Sequence, residues 1–207
     1  SQKTHLFHAP FDTAPRETII EQAVRFSDRE RARFKSGRIS GQAESLASDY
    51  SVSFWFRNDL PNQSRPVTAY LFSRGPKDHK LAPGDHLGIG GHYRSTYPGR
   101  LLLFNGNEAD DVLIGKTVIP PGSWNHAVLA RSGTRARAWL NGALEIDGIL
   151  KPTAPDSPDF HIGARNDFFA PLEGYLAEFL LLEGALSEAG VKELHAAARP
   201  DNPEHAE

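Results

Sequence analysis

The sequence predicts an all-β protein, a two-sheet antiparallel β-sandwich with one short C-terminal helix, and three observations carry that expectation. In Tyr50-Ser-Val-Ser-Phe-Trp-Phe-Arg57, Tyr50, Val52, Phe54 and Phe56 share one side, and Ser51, Ser53, Trp55 and Arg57 the other. That is the period of two of a strand with one greasy face, which a second sheet must cover. In Arg135-Ala-Arg-Ala-Trp-Leu-Asn-Gly142, Ala136, Ala138 and Leu140 alternate with Arg137, Trp139 and Asn141. Asn141-Gly142 supplies the two positive-φ positions of a type I′ turn, so the chain turns back there. The third observation is a series of short apolar runs separated by Gly, Pro and Asn, with helical spacing confined to the C-terminus.

Taken in order, residues 17–26 and 32–39 are expected as short edge strands around the turn Ser27-Asp-Arg-Glu30, their charges forming a solvated face. A loop follows at residues 61–66, a strand at 67–73 and a turn-rich connection at 75–84. Strands are expected at 86–91, 100–105 and 112–118, then in Ser123-Trp-Asn-His-Ala-Val-Leu-Ala130, in the Asn141-Gly142 hairpin, in Phe160-His-Ile-Gly163 and over 172–179. Ser187 is a helix N-cap, and the helix runs from Glu188 to about Ala198, stopped by Pro200. Residues 1–198 are read as one domain and 199–207 as a tail or the first piece of a linker.

At 207 residues the chain is long enough for one sandwich with a sizeable core. The formal net charge of −3, from 23 basic and 26 acidic residues, provides no long-range field to gather nucleic acid or an anionic membrane. No apolar run approaches the ~20 residues that span a bilayer, so membrane insertion is not expected. The Ser1-Gln-Lys start has no signal-peptide core, as in a chain whose signal was removed or a module cut from a longer protein. The absence of cysteine excludes a disulfide framework and leaves the compartment open.

Several strings occur in a fixed order: Ser53-Phe-Trp55, Gly122-Ser-Trp-Asn-His126, Trp139-Leu-Asn-Gly142, Ile162-Gly163, the closing strand from Gly174 to Phe179, and Ala185-Leu-Ser187. In that order the chain resembles the bacterial laminin G-like domains of the concanavalin A-like lectin and glucanase superfamily over roughly residues 4–198. The resemblance implies a jelly roll, an opening strand over 4–11, and Trp55 and Trp124 as structural positions, Trp124 in the core. It also implies a non-catalytic lectin-like module of a larger exported bacterial protein, extracellular or periplasmic, with adjacent domains as partners. A structural module that buttresses a neighbouring domain is the alternative. No cofactor is required, but the resemblance allows calcium (Ca2+), with Asp12 and Glu178 as its ligands; Ala177 stands where the family usually has Asp. The acidic loop Asn107-Glu-Ala-Asp-Asp111 is a second calcium candidate. Zinc is not expected, because His5 and His8 would point to opposite faces of a strand.

Two enzymatic patterns of the superfamily are each incomplete in this chain. Its retaining glucanases place Glu-x-Asp-x-x-Glu on one strand, but Glu145-Ile-Asp-Gly-Ile-Leu150 ends on Leu150, so the general acid is missing. Sandwich-fold lyases assemble His, Tyr and Arg, for which His126, Tyr93 and Arg100 are the counterparts, without the group's own strings. No catalytic residue is therefore assigned. Carbohydrate recognition needs flat aromatic faces and planar polar groups. These cluster in His92-Tyr-Arg-Ser-Thr-Tyr-Pro-Gly99, with His92, Tyr93, Arg94 and Tyr97 as candidates, and in Arg165-Asn-Asp-Phe-Phe169, with Arg165, Asn166 and Asp167. Trp55 and Trp139 point away from the inter-sheet core by alternation, so one or both are candidates to floor a groove. A glycan or polysaccharide is the expected partner.

Overall fold

The computed structural model describes residues 17–19, 31–44, 46–106, 112–150 and 157–197. Among these, the elements in chain order are β1 (Glu17–Ile19), β2 (Arg31–Lys35), β3 (Ile39–Gln42), β4 (Tyr50–Asn58), β5 (Val67–Arg74), β6 (Asp85–Gly90), β7 (Leu101–Phe104), β8 (Val112–Ile114), β9 (Trp124–Ser132), β10 (Arg135–Leu140), β11 (Ala143–Ile149), β12 (Asp159–Ile162), β13 (Glu173–Glu183) and α1 (Glu188–Ala197). They form a jelly-roll sandwich of a seven-stranded sheet, ordered β1-β3-β12-β5-β6-β7-β8, and a six-stranded sheet, ordered β11-β10-β9-β4-β13-β2. Every pairing is antiparallel except β1 against β3.

The predicted alternation places the core. Tyr50, Val52, Phe54 and Phe56 of β4 face Leu71, Leu87, Leu103, Phe160 and Ile162 of the other sheet. Phe179 lies at the centre, its ring 6.1 Å from Phe54 and 6.2 Å from both Phe72 and Phe160. Phe179 reaches that position through a bulge: Ala177 pairs with Trp55 and Leu180 with Ser53, so Glu178 is the extra residue, at φ 50°. The bulge re-phases the strand, turning Leu176, Phe179 and Leu181 inward. Asn141 and Gly142 adopt φ 51° and 81° in a two-residue loop, as the hairpin motif requires.

Some expected boundaries change. The stretch 32–39 is two strands in different sheets, because Ser36 at φ 55° breaks it; β2 then pairs with β13 and β3 with β12. The strand expected at 112–118 ends at Ile114. The opening strand 4–11, Asp12, the loop 107–111 and the tail 199–207 lie outside the described residues.

The outer face of the six-stranded sheet is covered by α1. Ser187 Oγ accepts the Gly190 N–H at 3.2 Å, capping the helix as predicted. Val191 and Leu194 pack on Val128, Ala130, Trp139, Leu180 and Leu182. The outer face of the seven-stranded sheet carries Tyr70, Ser73, His86, Leu102, Phe104 and His161, and the loop between β12 and β13 packs over part of it.

Candidate functional site

The loop after β12 is pinned at both ends. Gly163 N–H donates to Leu71 O (3.0 Å), Leu172 N–H to Gly163 O (2.7 Å) and Tyr70 N–H to Ala170 O (2.9 Å). Inside it, Asn166 is fully buried and acts as a spindle. Its N–H donates to Ser73 Oγ (2.9 Å), its Nδ2 donates to Pro76 O (2.7 Å), and its carbonyl accepts from Arg38 NH1 (2.7 Å) and Asp78 N–H (2.8 Å). Arg165 holds Asp167 through two hydrogen bonds, at 2.8 and 2.7 Å. Burial works to raise the Asp167 carboxyl, but the Arg165 bonds and charge outweigh it and hold the group below its ordinary value.

This framework displays two phenyl rings. Phe168 and Phe169 remain 47% and 41% exposed, while Arg38 lies 5.4 Å from the Phe168 ring centroid and Arg165 4.6 Å from that of Phe169. The Arg165 guanidinium also lies over Tyr70 (5.4 Å) and Phe104 (5.6 Å). Phe168 sits at φ 66° and Ala170 at φ 46°, conformations that cost a residue with a side chain about 1 kcal/mol or more each. Two adjacent aromatic rings are thus held in water on a strained turn with cations behind them. Of the side chains expected to touch ligand, Asn166 is fully buried and Arg165 and Asp167 are half-buried beneath the turn, and the two phenylalanines that follow are its most exposed side chains.

The loop joining β6 to β7 presents His92, Tyr93 and Arg94 to solvent, with Tyr93 55% exposed, Tyr97 half-buried and Arg94 6.0 Å from the Tyr93 ring centroid. Its base is tight: a Cβ on Gly91 would lie 1.9 Å from Arg65 O, so only glycine lets the two loops meet. Arg65 joins this loop to the Phe168 loop, since its carbonyl accepts the His92 N–H (2.9 Å) and its NH1 donates to Pro171 O (2.6 Å).

Other expectations need correction. Trp55 and Trp139 do point away from the inter-sheet core, but at 4% and 1% exposure they are sealed and floor no open groove. Trp139 lies in the cluster under α1, and Trp55 stacks on His195 of α1 at 5.4 Å and lies 5.2 Å from His126. Trp124 is not in the core; it is half-buried on the outer face of the six-stranded sheet, 6.2 Å from Tyr175. His126 is buried on that sheet, whereas Tyr93 and Arg100 border the seven-stranded one, so the lyase-like trio is not assembled. Glu145 is a structural clamp, its carboxylate accepting Lys116 N–H (2.5 Å), Thr117 N–H (2.8 Å) and Thr117 Oγ1–H (2.7 Å). Burial alone would raise its pKa, but those bonds win and lower it. Glu178 is buried at the β13 bulge, and its proposed calcium partner Asp12 lies outside the described residues.

Three serine–histidine pairs escaped sequence reading. His86 Nε2–H donates to Ala82 O (2.7 Å), so Nδ1 accepts the Ser73 hydroxyl at 2.7 Å; His161 does the same with Gly75 O (3.0 Å) and Ser40 (2.8 Å). Ser53 Oγ is 2.8 Å from His126 Nε2. All three histidines are buried, and Ser73 is also occupied by the Asn166 N–H, so these are locks for the sheets rather than open nucleophile–base pairs.

A laminin G model of the concanavalin A-like lectin/glucanases superfamily matches residues 35–192. Among curated protein sequences, none matches the chain significantly. Among solved structures, domain 4 of AbnA, a GH43 extracellular arabinanase from Geobacillus stearothermophilus, in complex with arabinotriose, aligns with TM-score 0.60 and 19% identity, covering 84% of this chain and 82% of that one. Botulinum neurotoxin type C, which depends on two ganglioside molecules to get into cells, aligns with TM-score 0.58 and 12% identity over 83% of this chain and 43% of that one. The botulinum neurotoxin DC binding domain in complex with SialylT aligns with TM-score 0.58 and 12% identity over 82% and 42%. This chain thus spans under half the length of those toxin chains, and at these identities the likeness is one of fold.

Proposed function

Because the chain belongs to the concanavalin A-like lectin/glucanase superfamily, which holds both enzymes and binding domains, we propose that it is a non-catalytic glycan-binding module whose contact surface is the Phe168–Phe169 turn with the Tyr93 loop beside it. The observation that carries this reading is the pair of exposed phenyl rings on a strained, arginine-backed turn. Burying them against the apolar face of a sugar recovers the cost of holding them in water. Glycans named in the solved relatives, arabinotriose and gangliosides, support the ligand class. The engagement of Glu145 in a backbone clamp and the leucine at position 150 support the non-catalytic half. In this reading the module belongs to an exported multidomain protein, extracellular or periplasmic, and tethers its neighbours to a polymer.

The test is a glycan array probed with the protein, in calcium and in chelator. A specific hit is expected, weakened roughly tenfold or more by Phe168→Ala or Phe169→Ala. Phe168→Gly should lose the same affinity while folding as well as the parent, because glycine relieves the positive φ. A hit that survives all three changes would refute the surface. The chelator lane tests the calcium ion assigned to Asp12 and Glu178, and an unchanged signal there removes calcium from the reading. A blank array in both lanes would shift the module to a structural role.

A further inference from the structure

The outer face of the six-stranded sheet has a part that α1 leaves uncovered, and the strand register builds a row across it. Arg33 of β2 pairs with Tyr175 of β13, Tyr175 with Arg57 of β4, and Arg57 with Trp124 of β9. Four adjacent strands therefore present cation, aromatic, cation, aromatic in one line, about 14 Å long at the ordinary strand spacing. The contacts follow the register: Arg33 lies 5.9 Å and Arg57 5.5 Å from the Tyr175 ring centroid, and Trp124 lies 6.2 Å from Tyr175. Trp124, Tyr175 and Arg57 are half-buried and Arg33 is exposed, so the row is open to a ligand. The part of Trp124 that is open is its ring, because its Nε1–H is buried and without a hydrogen-bond partner among the described residues.

The charges select the ligand. Arg57 is matched by Asp59 at 2.7 Å, and Lys35, which follows Arg33 on the same face of β2, lies across from Glu173 of β13, but Arg33 makes no ion pair among the described residues and leaves one cation in excess. A surplus of positive charge beside two aromatic rings, on a chain of net charge −3, is a local feature that a neutral sugar would not use. We propose that this row is a second glycan-contact surface, on the sheet opposite the Phe168 turn, and that it takes an acidic glycan, with carboxylate or sulfate groups meeting Arg33 and Arg57 and sugar faces lying on Tyr175 and Trp124. The module then engages polymer from both sides of the sandwich, which gives avidity on a matrix where two chains are within reach.

The tryptophans supply the readout. Trp55 and Trp139 are sealed, so a change in intrinsic fluorescence on adding polymer reports on Trp124. Polygalacturonate, dextran sulfate, neutral arabinan and polyglutamate are each titrated into the protein. An acidic polysaccharide should change the emission, arabinan and polyglutamate should not, and the carboxylate and sulfate arms tell which anion is preferred. Trp124→Phe should abolish the signal, and Arg33→Gln, an exposed change with no fold cost, should weaken binding about tenfold. Phe168→Ala should leave the signal intact, which separates this surface from the one above: loss of array binding alone sinks the Phe168 reading, and loss of this signal alone sinks the second surface. The second surface is overturned if neither acidic polysaccharide alters the emission, if polyglutamate matches them, or if Arg33→Gln binds like the parent.

Discussion

His86, His126 and His161 are each held by a serine hydroxyl inside the sheet faces, and burial, the largest cause in every case, lowers their pKa values to about 3, about 3 and about 4. The charged or titratable neighbours are Arg165, Asp167 and His161 for His86, His195 for His126, and Arg38, Asp159 and Asp78 for His161. In the unfolded chain an imidazole titrates near pH ~6.5. Below that value the unfolded chain binds protons that the folded one refuses, so stability falls with pH until the folded values are reached. Each histidine contributes a slope of ~1.4 kcal/mol per pH unit in that window and none above it. Urea midpoints at pH 7, 6 and 5 should therefore decline, and His86→Gln should decline less steeply; a flat profile would show that the three rings take up protons while folded. None of the three pairs was legible in the sequence. Ser73 and His86 meet only because β5 and β6 pair in register, and Ser40 and His161 because β3 and β12 do.

At the scale of elements, α1 decides what the six-stranded sheet can offer. Alternation along β4 and β10 is correct that Trp55 and Trp139 leave the inter-sheet core, but periodicity within a strand carries no information about what packs on its far side. The helix was legible from its cap and its stop; its docking site was not. Val191 is its one fully buried side chain among the described residues, supported by Leu194 and by His195 stacked on Trp55 and His126. Val191→Asp should release the helix, because a carboxylate cannot be buried in that apolar cluster without a partner. The expected result is red-shifted tryptophan emission with greater acrylamide quenching while the far-ultraviolet β signal persists. Unshifted emission would mean that the tryptophans are sealed by the sheet itself.

For the whole molecule, the two sheets are joined through a buried polar staple as well as the phenylalanine core. Asp85 of the seven-stranded sheet accepts Arg131 Nε–H (3.0 Å) and Tyr50 O–H (2.9 Å) from the six-stranded sheet, and Asn105 Nδ2–H (2.9 Å). Burial and then the Asp85 charge raise the Tyr50 pKa, keeping the phenol a neutral donor. The Arg74 guanidinium lies 4.8 Å from the Tyr50 ring centroid and donates to Leu46 O and Ala47 O at 2.7 Å each, tying the β3–β4 connection to the same network. Asp85→Ala leaves Arg131 buried and uncompensated and should cost about 3–5 kcal/mol in chemical denaturation. Asp85→Leu with Arg131→Met removes both charges and should cost much less; equal losses would mean that the ion pair is not what holds the sheets. The sequence by itself determined the sandwich, the Asn141-Gly142 hairpin, the capped helix and the family, because side-chain alternation, turn chemistry and motif order are properties of neighbours along the chain. Tertiary structure alone decided that two tryptophans are sealed, that Phe168 and Phe169 are the exposed members of a loop in which Asn166 is buried and Arg165 and Asp167 are half-buried, and that Arg33, Tyr175, Arg57 and Trp124 form one row. Those outcomes depend on which strands pair, in what register and under what cover, so they arise between residues far apart in the chain.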